Sequence, residues 1–173
     1  MIASLAAGLA LAATPALARP YLMLSADPKG FQALDLGDIT HQGLASAEVT
    51  LIDAPLAGAP FADNKLAALV KRRMAVDCQA PRWRVLSASY TDSHEAVLAS
   101  DPSPRDWQAY DAGDLVAPVV QDAACLNRYA QQMVSRYLNI GEIFANYQRA
   151  WGKAAPEPLT EAQLQAQRFK YNH

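Results

Sequence analysis

The chain has 173 residues, 51% of them hydrophobic and 18% charged, with 15 Lys and Arg against 17 Asp and Glu. That length suits one domain with a real core, and a net charge of −2 argues against a general nucleic-acid binder. Two cysteines and three histidines are too few for a zinc centre built on cysteine pairs, and the apolar share is too high for a disordered chain.

Residues 1–18 differ from the rest. No charged side chain occurs there, and the Ala- and Leu-rich run ends in Ala16-Leu17-Ala18 before Arg19. Small residues at −3 and −1 behind a short apolar stretch are what a signal peptidase accepts, and Pro15 followed by Arg19 cuts the run short of the ~20 residues a membrane span needs. We therefore read 1–18 as a signal peptide, with an uncleaved anchor as the alternative. No Lys or Arg precedes the apolar run, so only the amino terminus supplies its positive end. No later stretch is long and apolar enough to cross a bilayer, so the mature chain is expected to lack a transmembrane segment.

From Arg19 to Cys125 the chain carries 9 basic and 14 acidic residues, and its pattern is that of short strands. Tyr21–Leu24 and Phe31–Asp35 flank the turn sequence Asp27-Pro28-Lys29-Gly30. Ala45–Asp53 holds a β-branched run, and 54–64 reads as a loop. Leu66, Ala68, Val70, Met74, Val76 and Cys78 share one parity and are expected to face a core, with Arg72 interrupting them. Arg82–Thr91 follows a tight connection and predicts a hairpin, and Ala96–Ala99 reads as a further short strand. Pro102 and Pro104 mark a loop. Asp114 is then a candidate N-cap for a helix over Leu115–Cys125, where Pro118 falls in the tolerant first turn.

Beyond Cys125 the balance changes to 6 basic and 3 acidic residues. Tyr129, Met133, Tyr137, Ile140, Phe144, Tyr147 and Trp151 recur at steps of three or four, which predicts one stripe of an amphipathic helix. Unbroken, such an arm is about 38 Å long. We expect an amphipathic extension over 126–155, with Gly141 as its weak point and Pro156 and Pro158 as its end. A short helix capped by Thr160 and Gln163 is expected within 156–173. The stripe has to be buried, either against the chain's own body or against another chain, so these seven residues are the candidate interface.

Cys78 and Cys125 are the only cysteines. In an exported chain they meet an oxidising compartment, where a bridge would close a loop of about 48 residues, stabilising by about 4 kcal/mol. Two buried free thiols are the alternative. The residues around them carry a resemblance. Met74-Ala75-Val76-Asp77-Cys78, then Arg82-Trp83-Arg84-Val85-Leu86-Ser87-Ala88-Ser89-Tyr90, then Trp107 and the closing Cys125 are similar to the surface-adhesin protein E family. The likeness covers roughly Tyr21 to Cys125. It implies an adhesin-E-like domain over 19–125, a Cys78–Cys125 disulfide and a cell-envelope location. The family's founding members are bacterial surface proteins that bind host matrix and serum proteins and form dimers. This chain departs from the family at Ser93-His94-Glu95, at Ala112-Gly113-Asp114, and in lacking a lipid-attachment cysteine.

Other residues invite sharper readings. His41, His94 and His173 have no partner at ligand spacing, so no metal site or cofactor is assigned. Ser87, Ser89 and Ser93 lie in no nucleophile motif, so no catalytic residue is assigned. Asp77 and Arg82 are placed to pair across the hairpin turn. Lys71-Arg72-Arg73 with Arg82 and Arg84 forms a basic patch, either a solvated strand face or a site for an acidic partner. Trp83 and Trp107 read as packing residues. The expected fold is α+β, a small antiparallel sheet with helices packed on one side plus the helical arm. The expected function is that of a non-catalytic envelope protein in the periplasm or at the cell surface, acting through contact with a protein partner or as a homo-oligomer such as a dimer. The alternative is a periplasmic enzyme whose site shows no motif.

Overall fold

The computed structural model describes residues 19–62, 65–137 and 139–151, so the segments expected to be a signal peptide and a capped terminal helix lie outside the described residues. Ten strands and two α-helices occur among the described residues. The strands are β1 (Arg19–Asp27), β2 (Gly30–Gln42), β3 (Ser46–Pro55), β4 (Ala59–Pro60), β5 (Leu66–Ala67), β6 (Leu69–Asp77), β7 (Arg82–Thr91), β8 (Val97–Asp101), β9 (Gln108–Ala109) and β10 (Val134–Tyr137). The helices are α1 (Val116–Leu126) and α2 (Ile140–Trp151). Eight strands form one antiparallel sheet in the order β10-β1-β2-β3-β6-β7-β8, with β9 also on β7, while β4 and β5 pair separately. The architecture is the expected α+β fold, an antiparallel sheet with two helices packed against it.

Local chemistry fixes the two tightest turns. Between β1 and β2 the Asp27 carboxylate accepts the Lys29 N–H at 2.7 Å. Gly30 is required there, because a Cβ would lie 2.7 Å from the Ala54 carbonyl oxygen and 2.8 Å from Pro55 Cα. Between β6 and β7 the Asp77 carboxylate accepts the N–H groups of Gln79 at 2.8 Å and Ala80 at 3.1 Å, and the Arg82 Nε–H at 2.8 Å. The anticipated Asp77–Arg82 pair is thus one element of a turn lock. The Gln79 N–H first, and Arg82 after it, hold the Asp77 carboxyl below the usual carboxylate range.

Successive residues of a strand face opposite sides of a sheet, and here both sides are apolar. Tyr21, Phe31, Ala33, Ile52, Ala54 and Leu69 pack with Ile140, Ile143, Phe144 and Tyr147 of α2. Leu22, Leu34, Val49, Leu51, Met74 and Val76 pack with Val120, Ala123 and Ala124 of α1. The two helices therefore cover opposite faces: α1 lies on one, and α2, within the segment read as an arm, lies on the other.

The helical reading of the 126–155 arm is corrected. It is not one helix: Gln131–Met133 forms a single 3-10 turn, Val134–Tyr137 adds to β1 as an edge strand, and only then does α2 begin. The Asn139 side chain accepts the Glu142 N–H at 3.0 Å and so caps α2. Gly141, expected to weaken a long helix, lies instead in the first turn, where a Cβ would come within 2.4 Å of the Ser93 carbonyl oxygen. At the other end the Tyr147 hydroxyl donates to the Gly30 carbonyl at 3.0 Å. These contacts build the segment into the same body as 19–125.

Cys78, just past β6, is disulfide-bonded to Cys125 in the last turn of α1. The Gln121 amide reinforces this tie by donating to the carbonyls of Asp77 at 2.7 Å and Ala80 at 3.1 Å. The bond indicates an oxidising, extracytoplasmic location. Replacing both cysteines by Ser is expected to lower stability by about 2–5 kcal/mol in urea titration, with the same loss on reducing the wild type. For Asp77 the sign follows from its depressed folded pKa: its contribution is full above the ordinary carboxylate range and disappears as pH falls through it. The stability advantage of wild type over Asp77→Asn should accordingly shrink as pH is lowered from about 5 to about 2.

Candidate functional site

A groove of about 450 Å³ lies on the α1 face of the sheet. Leu51, Met74, Trp83 and Val85 line it together with Arg72, and its other wall comes from the segment 105–111 and the start of α1. Arg72, the residue that broke the apolar parity of β6, is explained by the partner it meets. Its guanidinium is ion-paired with Asp53, whose side chain is 5% exposed, and Gln32 donates to the same carboxylate at 2.6 Å. Tyr110 packs edge-on to Trp83 with ring centres 5.3 Å apart. Burial, followed by the fields of Asp77 and Asp114, pushes the Tyr110 hydroxyl up to about 12, so it remains protonated at neutral pH.

The opposite face carries a smaller trough of about 240 Å³ that includes Arg19, Asp35, Lys71, Arg73, Ser87 and Ser89. Most of its charges are matched: Arg19 pairs with Asp35, Lys71 with Glu95 and Arg73 with Glu48, while Asp38 accepts from the Thr50 hydroxyl. Asp35 is buried, and that burial raises its carboxyl above the usual range against the opposing pull of the Gly37 N–H and Arg19.

The basic patch read from the sequence is thereby split between the two faces, and four of its five members are ion-paired. Lys71, Arg72, Arg73 and Arg82 each hold an acid. Arg82 and Arg84 lie against the Trp107 ring at 5.2 and 5.0 Å from its centre, a contact worth about 0.5–1 kcal/mol each at partly exposed sites. His41 is exposed on β2 and His94 lies in the turn before β8 beside Ser93; His173 is outside the described residues. No group of three or more His, Cys, Asp or Glu able to hold a metal occurs among the described residues. No helix among them is long and apolar enough to cross a membrane.

The seven residues of the candidate interface are dispersed. Ile140, Phe144 and Tyr147 are buried beneath α2. Tyr137 and Tyr129 are half-buried against the two cores, and Met133 and Trp151 are partly exposed. The chain uses most of this stripe on its own sheet.

The outward surface of α1 is what the sequence reading passed over. Leu115 is 86% exposed, Val119 37% and Leu126 54%. At about 100° per residue these three, with Pro118 and Asp122, fall in one arc opposite the buried Ala117, Val120 and Ala124. A helix apolar on both sides is normally covered on both. The signal was available: from Asp106 to Asn127 the chain has no Lys or Arg, and its apolar residues do not fall on one stripe. The helix is firmly held, since the Asp114 side chain accepts the N–H groups of Val116 at 2.8 Å and Ala117 at 3.0 Å, while Asn127 ends it in a left-handed conformation.

Comparison with protein-family models, with characterised proteins and with solved structures found no match.

The Arg72–Asp53 pair under the groove gives a direct check. Asp53→Ala leaves a buried guanidinium without its partner and should cost about 3–5 kcal/mol in urea titration. Replacing both residues, Asp53→Leu with Arg72→Met, should recover most of that loss.

Proposed function

We propose that this chain is an exported cell-envelope protein of adhesin-E-like type that works by contact with another protein, with the outer face of α1 as its contact surface. The observation that carries this is the stripe of Leu115, Val119 and Leu126 exposed on a helix whose other side is already buried in the core. Water around such a stripe is unfavourable by about 25 cal/mol per Å² of apolar surface, and a protein partner removes it. The Cys78–Cys125 bond supports the compartment. The resemblance from Val76 to Cys125 supports the adhesin-like reading, a scaffold and not an enzyme. With Ile140, Phe144 and Tyr147 committed to the chain's own core, α1 takes the role expected of the helical arm.

A photo-crosslinking side chain at Val119, expressed in the native bacterium, should give a discrete protein adduct, while the same group at exposed His41 should not. Leu115→Ser with Leu126→Ser should abolish the adduct and leave the urea midpoint nearly unchanged. Equal labelling from both positions, or none at Val119, would reject the contact face.

A further inference from the structure

Resting on the reading of α1 as a contact face, we infer that its partner is a cationic amphipathic segment of another protein, with an apolar stripe flanked by Lys or Arg. The inference comes from how charge is distributed. Elsewhere six bases, Arg19, Lys71, Arg72, Arg73, Arg82 and Arg105, each have a carboxylate partner. Around α1 the pattern differs. From Asp106 to Asn127 the chain carries Asp106, Asp111, Asp114 and Asp122 and no base, and among the described residues no ion pair reaches any of the four.

Asp114 has a structural role at the helix start, but Asp122 has none of that kind. It lies on the exposed arc between Val119 and Leu126, toward the negative end of the helix dipole, where an acid is disfavoured. Arg128, the next cation along the chain, forms no ion pair with it among the described residues; its N–H bonds the Asp122 carbonyl instead. A partner cation at this end meets both the carboxylate and the carbonyl end of the helix. Asp111, exposed ahead of the helix, repeats the requirement at the other end. The apolar stripe supplies contact area and the acids at its two ends supply orientation and selectivity. An anionic lipid surface is disfavoured by the same charges.

The test uses the mature, oxidised protein and two labelled helical peptides of equal length, one Leu/Lys and one Leu/Glu, titrated by fluorescence anisotropy. The Leu/Lys peptide should bind at least about tenfold more tightly, and more weakly as salt rises. Asp111→Lys with Asp122→Lys should reverse the preference, Asp38→Lys on β2 beside the opposite trough should not, and Leu115→Ser with Leu126→Ser should weaken both peptides. No charge preference, or one that survives the Asp111 and Asp122 reversal, overturns the inference. So does light scattering that shows a dimer dispersed by the Leu115 and Leu126 substitutions, because the occupant is then a second copy. A Val119 crosslink that persists while the peptides show no preference removes the cationic partner alone. Loss of the crosslink removes the contact face with it.

Discussion

On β2, Phe31 and Ala33 enter one core while Leu34 enters the other. The same alternation runs through β1 with Tyr21 and Leu22, and through β3 with Leu51 and Ile52. A strand apolar on both sides has to be covered on both, and this requirement sets the rest of the molecule. One helix cannot satisfy it. The chain supplies α1 for one face and returns through β10 to supply α2 for the other. Each helix covers only part of its face, and at the uncovered remainders lie the groove and the trough. There the lining changes from aliphatic to ion-paired, with Arg72–Asp53 on the α1 side and Arg19–Asp35 on the α2 side. Both carboxylates are almost fully buried, so these pairs are weak contributors to net stability but costly to break on one side. Their positions specify which strands lie side by side: Asp53 on β3 and Arg72 on β6, Asp35 on β2 and Arg19 on β1.

The strands were legible because their signals are local. The Asp27–Gly30 turn, the β-branched run of β3 and the Arg82–Thr91 strand each depend on residues within a few positions of one another, and each is found where the sequence puts it, with β7 spanning Arg82–Thr91. Arg72 was legible only as an anomaly, since its explanation, Asp53, is 19 residues away. The arm was misread for a different reason. Tyr129, Met133 and Tyr137 are spaced as on a helix, but a four-residue edge strand is too short to show its own alternation, so the helical period extended over it unopposed. Asn139 with Glu142 three residues later has the form of a helix start, and it marks the true beginning of α2.

The candidate site was the least legible part. An exposed apolar stripe and a buried one have the same composition, and only the fold decides which is which. In the sequence, the arm offered the longer and more aromatic stripe. In the structure Phe144 and Tyr147 pack with Phe31, ring centres 6.4 and 5.2 Å away, and the shorter stripe on α1 is the one left outside. The resemblance around the cysteines could not indicate this either, because it rests on residues that position α1 and not on those α1 turns outward.

Positioning and presentation are nevertheless linked. A binding face gains affinity when it is already ordered, because less conformational entropy is lost on association. Elements with few buried apolar contacts open most readily, and the outer side of α1 contributes none, since Leu115, Val119 and Leu126 face water. The Cys78–Cys125 bond, the Asp114 cap and the Gln121 amide act against that at its end, its start and its middle respectively. Together these three contacts fix the rotation of α1 on the sheet. With them, Val120 and Ala124 are held inward and Leu115, Val119 and Leu126 outward. The disulfide therefore acts with the core contacts of Val120, Ala123 and Ala124 in holding the Leu115, Val119 and Leu126 side toward water.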